Sequence, residues 1–471
     1  HGILQHDFKT DIEAASKLFN LKSNTSFYQK IKNSLYHKLY ESSLYVFDYS
    51  NNDEKKEHIQ SIRAGFIIKN LTIQENGRLT IPLTEKYYNK FKKYNLHQEI
   101  IESSKALISY FGIAEPNLQK LKKYNADRHE AINQYYWEKL ASHYYESINT
   151  LFNNITNIND EEVIKIIDSY IKELDQYKPS VNSQYFFKDY HSLKMIKYSI
   201  TREYTKIVDE CDEFLAFLKS LPFKSSGPRK FALKTKSKYL IIIGKFEEAI
   251  ATLEELLKVE EVGSLIWLDI SNTKILAYIH LQNYKQAYEE TNQVMHHKSF
   301  PKIVSLYKRH IELKYIYIEI ILLLNFDKDL KEDHLQRSIK RYLKQYPEFT
   351  KDKTVMNVPL FIAQLIDSII RKEEYEILDR VEAIKKYSSR YIIKNKGTRS
   401  NCFINMLINV VKYQYHHVAI NRHSQRYIKA LFENPKDQTS EDAEIEIVPY
   451  EDLWRLLLQY LTDRKTKTNK K

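Results

Sequence analysis

Apolar residues recur along this chain at three- and four-residue intervals, the period of a helix with one buried face. The segment from Asn159 to Pro179 shows the pattern most fully. Asn159 followed by Glu162 has the form of a capping box, Val163, Ile166, Ile167, Tyr170, Leu174 and Tyr177 then fall on one helical face, and Pro179 stops the helix. The same spacing appears in Phe214, Leu215 and Leu218 before Pro222, and through residues 240–257, 275–281, 303–324 and 360–370. Polar stretches such as 224–229 and 437–443 read as loops between them. Helix follows helix, and the fold class this predicts is all-α.

The helices pair around a recurrent motif. In Ile243-Gly244-Lys245-Phe246-Glu247-Glu248-Ala249-Ile250 a tight turn joins two helices, with an aromatic two residues after the turn and a small residue three further on. Gln282-Asn283-Tyr284-Lys285-Gln286-Ala287-Tyr288 repeats it, 38 residues later (287 − 249). Weaker copies stand at Arg202-Glu203-Tyr204-Thr205-Lys206-Ile207 and Glu373-Glu374-Tyr375-Glu376-Ile377-Leu378, with room for a divergent hairpin near Leu335. This motif resembles the tetratricopeptide repeat, and the resemblance covers about 163–391. It implies an α-solenoid of stacked helical hairpins, in which the aromatic packs between helices and the Ala lets backbones approach. The spacing exceeds the usual ~34 residues, and the early Trp, the small residue of the first helix and the closing Pro are largely missing. The order Trp267, Tyr284, Ala287, Phe300 is also similar to long tetratricopeptide-like proteins of Bacteroidota-type bacteria, a resemblance that carries no activity.

The first third is less regular. Residues 12–19 read as a short helix, 20–26 as a turn and 27–47 as a longer helix with Gln29, Lys30, Lys32 and Asn33 on one polar side. That layout resembles a helix-turn-helix, although two helices of a capping bundle give the same pattern. Around Asn76-Gly77 the flanking Leu71, Ile73, Leu79 and Ile81 permit a β-hairpin. The favoured alternative has Gly77 closing one helix and Pro82 opening the next, because Tyr87, Tyr88, Phe91 and Tyr94 continue a helical stripe. At the far end 450–461 form an amphipathic helix with Leu453, Trp454, Leu457 and Tyr460 on one face, suited to covering the last hairpin, and the basic tail 463–471 reads as disordered. The expected organisation is an N-terminal helical region over 1–145, with the helix-turn-helix-like pair at 11–47, a tetratricopeptide-like solenoid over 146–440, and a capping helix with tail over 441–471.

Composition narrows the chemistry. The chain has only eight glycines in 471 residues, and the nearest pair, Gly65 and Gly77, stands 12 apart (77 − 65). No GxGxxG or GxxxxGK[ST] phosphate cradle and no GxSxG nucleophile elbow fits that distribution, and HExxH is absent. Two cysteines, Cys211 and Cys402, write neither a disulfide framework nor a thiolate zinc site and suggest a reducing, cytoplasmic setting. No apolar run reaches membrane-spanning length, since the longest, near 316–324, contains Glu319. The chain begins at His1 rather than Met, which leaves room for a processed start and a lost targeting segment.

The histidines His296-His297 and His416, His417 and His423 lack a carboxylate or thiolate at ligand spacing, so no metal and no cofactor is expected. Glu254-Glu255 and Glu260-Glu261 fall on solvated helix faces, and no catalytic residue is assigned. A formal net charge of +12 permits attraction to nucleic acid or anionic lipid without establishing either. The basic run Lys219, Lys224, Arg229, Lys230, Lys234, Lys236 and Lys238 stands at a hairpin junction. Lys234 and Lys238 lie one turn apart on the face of a first helix that, by the tetratricopeptide resemblance, lines a groove. With Asn272 at the matching place in the next hairpin, Phe231, Lys234 and Lys238 are the candidate site for an acidic peptide or a C-terminal carboxylate. A solvated basic face is the plainer alternative. The function this implies is a non-enzymatic scaffold for a protein or peptide partner, with a nucleic-acid-binding regulator as the rival.

Overall fold

The computed structural model describes residues 10–20, 25–43, 53–74, 77–154, 160–224, 226–302, 305–325, 332–346, 357–373, 398–433 and 446–468. Among these residues the secondary structure is helical, with no strand. The chain divides into two compact units, His1–Ile132 and Asn133–Lys471.

In the first unit α1 (Asp11–Phe19) and α2 (Ser26–Ser43) form the pair expected at the start of the chain, while 44–47 lie outside the described residues. Thr10 caps α1 by accepting from the Glu13 amide at 3.2 Å, and Ala14, Ala15 and Tyr28 pack between the two helices. Lys32, on the supposed polar side of α2, pairs with Asp11 at 2.6 Å. Next come α3 (Asp53–Ile73), α4 (Gly77–Lys93) and α5 (His97–Ser109), a π-helical turn (Tyr110–Ala114), and α6 (Leu118–Asn154), which continues past Ile132. The helical alternative at 71–83 holds, with one correction: Gly77 opens α4 instead of closing α3, and Pro82 lies inside α4. Burial of Tyr88, Phe91 and Tyr94 explains why the helix tolerates that proline, because packing of an apolar face outweighs one missing backbone bond. Asn76 lies outside the described residues.

The second unit continues with α7 (Asp160–Tyr177), α8 (Gln184–Ile200), α9 (Tyr204–Ser220), α10 (Ser226–Ile242), α11 (Phe246–Leu257), α12 (Leu265–His280), α13 (Tyr284–Met295) and α14 (Ser305–Leu324). Then follow α15 (Glu332–Gln345), α16 (Asn357–Arg371), α17 (Thr398–Lys412), α18 (His417–Glu433) and α19 (Tyr450–Thr468). From α7 to α14 each helix packs on its neighbour in sequence, and α8, α10, α12 and α14 also pack on one another in turn. That is an α-solenoid-like arrangement, in which a hairpin hides its apolar face only against the next hairpin. The loop expected at 224–229 is shorter than its composition suggested: α10 begins at Ser226, because Pro228 is compatible with a first helical turn. Asn159, the expected cap of α7, and residues 437–443 lie outside the described residues, as do 374–378 of the fourth motif copy.

One turn recurs between helices. At Arg202, Gly244 and Gln282 the backbone enters the left-handed region, with φ of 60, 80 and 59°. In each case the amide of that residue bonds the carbonyl three back, and the next amide bonds the carbonyl five back: Gly244 to Ile241 and Lys245 to Leu240, at 3.1 and 2.8 Å, are one instance. Asn95, Lys372 and Gln414 make the same two bonds. This is a Schellman closure, and the following helix starts at once, with Tyr204, Phe246 and Tyr284 as its first residue. Three residues on, Ile207, Ala249 and Ala287 are fully buried.

Beyond α14 the stacking changes. This helix is buried on nearly every side from Ile311 to Leu324, touching α12, α13, α15, α16 and α19. The final helix, α19, packs against α14, α17 and α18. Its face of Leu453, Trp454, Leu457 and Tyr460 is buried as the sequence predicts, but it covers α14 as well as the last hairpin. Arg399 secures this return, bonding Glu446 through Nε at 2.9 Å, Glu451 at 2.7 Å and the Leu431 carbonyl at 2.6 Å. The helix also runs on to Thr468, so 463–468 are not the disordered tail expected, in keeping with the good helix propensity of the Arg and Lys residues there. Among the described residues no helix is long and apolar enough to cross a membrane.

Candidate functional site

The first helices of successive hairpins share one open-sided cavity of about 750 Å³. From α6 come Tyr145 and Asn149, and from α8 Ser192, Met195, Ile196 and Ser199. Its middle is built by Phe231, Lys234, Thr235 and Lys238 of α10 with Asp269, Asn272, Thr273 and Leu276 of α12. His310, Leu313 and Lys314 of α14 follow, and Ile447, just ahead of α19, also lines it. No residue of α9, α11 or α13 takes part. The lining repeats with the hairpins: Lys234, Asn272 and His310 are 38 residues apart (272 − 234 and 310 − 272), as are Lys238, Leu276 and Lys314 (276 − 238 and 314 − 276). Stacked hairpins thus present equivalent positions to one side, as a solenoid surface does.

All four candidate residues, Phe231, Lys234, Lys238 and Asn272, line this cavity. Their surroundings differ. Lys234 forms an ion pair with Asp269, and the Asn272 side-chain oxygen accepts from Lys314 Nζ at 2.6 Å. The Phe231 ring has the Lys188 ammonium 5.7 Å from its centre. Lys238 is exposed, stands 5.7 Å from the Tyr239 ring and, among the described residues, has no carboxylate within ion-pair distance. Three lysines therefore face one aspartate across the lining, which makes the cavity favourable for an anion. The remaining basic run is largely neutralised: Arg229 pairs with Glu255, Lys230 with Glu260, and Lys236 with Asp212 at 2.6 Å. Glu254, from the acidic pair expected on a solvated face, stands 3.4 Å from Lys274.

Two hydroxyls of the lining serve their own helices. Thr273 donates to the Asp269 carbonyl at 2.9 Å and Ser192 to the Lys188 carbonyl at 2.7 Å. Such back-bonded hydroxyls are not poised against a base. Sequence reasoning missed Asp269 and Lys314. The 38-residue interval would have located Lys314, two repeats beyond Lys238, but the single pair Ala249 and Ala287 did not extend the ladder that far.

No family model matches the chain, and no curated protein matches it.

A second polar centre lies between α8 and α9. The buried His191 Nδ1 is 2.6 Å from Glu210 Oε2, Lys194 pairs with the same carboxylate, and Tyr190 donates to Asp175 at 2.6 Å. Burial raises the Glu210 pKa, and the His191 and Lys194 bonds outweigh that effect, so the carboxyl ends below its ordinary range. Donor atoms of His191, Glu210 and Glu213 lie within 4.8 Å of one another, a spacing compatible with a cation. The Lys194 ammonium already occupies Glu210, which makes the group an internal charge network joining the two helices. Of the clustered histidines, His416 and His417 stack on each other at 5.7 Å, and His423 stacks on Tyr413 at 4.1 Å.

Proposed function

We propose that the second unit is a non-enzymatic interaction module of the cytoplasm that holds an extended, acidic segment of a partner protein along the cavity lined by α8, α10, α12 and α14. One observation carries this reading. Alternate helices deliver Lys234, Lys238, Asn272 and Lys314 to a single open-sided cavity at the hairpin interval, and an extended chain can cross several equivalent positions there. The excess of lysine over aspartate selects for carboxylates. We read the hairpins as tetratricopeptide-like, on the support of the Schellman turn, the aromatic that opens the second helix and the buried Ile207, Ala249 and Ala287. A cytoplasmic setting fits two free, buried thiols, Cys211 and Cys402. Nucleic-acid binding by α1 and α2 is the weaker reading, since Lys32 is tied to Asp11 within the pair.

The test is fluorescence anisotropy at low ionic strength with extended peptides that differ only in the number and position of Asp and Glu. Acidic members bind and basic ones do not. Lys234→Ala with Lys238→Ala weakens the best peptide by about tenfold or more, the scale of one or two charge-assisted hydrogen bonds. Affinities unchanged by the double substitution contradict the site.

A further inference from the structure

A second cavity, of about 670 Å³, opens on a different set of helices and is built from other chemistry. It lies between α13 and α15 above Tyr315 of α14. Arg337 and Arg341, one helical turn apart on α15, share its wall with His334 and Ser338. Tyr288 of α13 faces them and lies over Tyr315, with ring centres 5.7 Å apart and planes inclined by 22°. Among the described residues no carboxylate lines the cavity. Both guanidiniums are exposed. Among the described residues Arg337 uses its Nε alone, donating to the Asp333 backbone carbonyl at 3.2 Å. Among the described residues its two terminal nitrogens have no partner, and neither arginine has a carboxylate within ion-pair distance. His334 is oriented from below: its Nδ1 meets the fully buried Glu319, which leaves Nε2 for the cavity the ring lines.

We propose that this cavity binds a phosphate monoester carried on a planar ring. Paired guanidiniums present forked donors that match phosphate oxygens two at a time, a geometry that a lone lysine does not offer. The tyrosine wall supplies a flat apolar face for the ring that carries the phosphate. None of these residues belongs to the lysine-lined cavity, so the two sites stand or fall separately.

Calorimetric titration of the full chain with phenyl phosphate tests the assignment, with inorganic phosphate in a parallel arm. Phenyl phosphate binds saturably and more tightly than inorganic phosphate. Arg337→Gln or Arg341→Gln weakens it about tenfold each, and the double variant shows no saturable binding. Both arginines are exposed, so these variants keep the fold, which unchanged far-ultraviolet dichroism verifies. Lys234→Ala with Lys238→Ala leaves phenyl phosphate binding as it was. Absence of saturable binding to the unaltered chain overturns the proposal. So does binding that survives the double arginine variant, that is lost in the double lysine variant, or that is no tighter than for inorganic phosphate.

Discussion

His97 shows at the residue scale how burial becomes a measurable property. It opens α5 and is almost fully buried, and loss of solvation, partly offset by the Glu130 charge, lowers its pKa from 6.5 to about 4. Between those values the unfolded chain holds a proton on this ring and the folded chain does not, so its contribution is complete above pH 6.5 and is lost as pH falls toward 4. The loss amounts to about 3 kcal/mol at most. Urea unfolding at pH 7.5 and pH 5 checks it: His97→Phe loses less stability between the two than the unaltered chain, and equal losses remove the effect. Nothing in the local sequence marks His97 as buried, because its environment comes from helices packed over it. Lys234 and Lys238 were legible, since their four-residue spacing fixes a shared face. Asp269 was not, because its pairing with Lys234 depends on how α10 and α12 stack.

The two-residue turn is the feature that repeats most faithfully at the element scale, and its backbone is more regular than its sequence. Only Gly244 supplies the residue that a left-handed closure favours, while Arg202 and Gln282 adopt nearly the same conformation with a side chain in place. The left-handed region costs an ordinary residue roughly 1–2 kcal/mol. Arg202→Gly should therefore raise stability by about 1 kcal/mol, and Gly244→Ala should lower it by a similar amount, both read from urea unfolding. Changes of the same sign in the two variants would contradict a shared turn. The aromatic and small residues after the turn were legible because they are side-chain requirements of close helix packing. The closure itself was hidden wherever the residue was not glycine. Gly77 misled for the converse reason: glycine often ends a helix, yet here it stands at the start of α4, and the buried stripe decides the boundary.

Across the whole of the second unit, local pattern and long-range packing divide the work. Helical periodicity foretold α7, α14, α16, parts of α9 to α12 and the apolar face of α19, because each depends on residues three or four apart, whereas α8 and α13 were implied only by the turn motif beside them. The return of α19 onto α14 was not legible, since it joins positions distant in sequence and relies on Arg399 meeting Glu446 and Glu451. That return brings Ile447 to the lysine-lined cavity. If an extended acidic segment lies there, its contacts must be spread over several hairpins and confined to their first helices. The most direct measurement places a photoreactive benzoylphenylalanine at Thr235, Leu276 or His310 in the cavity, or at the exposed Lys285 of α13, and irradiates each variant with the tightest acidic peptide. Cross-links at 235, 276 and 310, ordered along the peptide and absent at 285, are the result expected of a groove-bound segment. Equal cross-linking at 285, or none at the three cavity positions, would show that the peptide binds elsewhere.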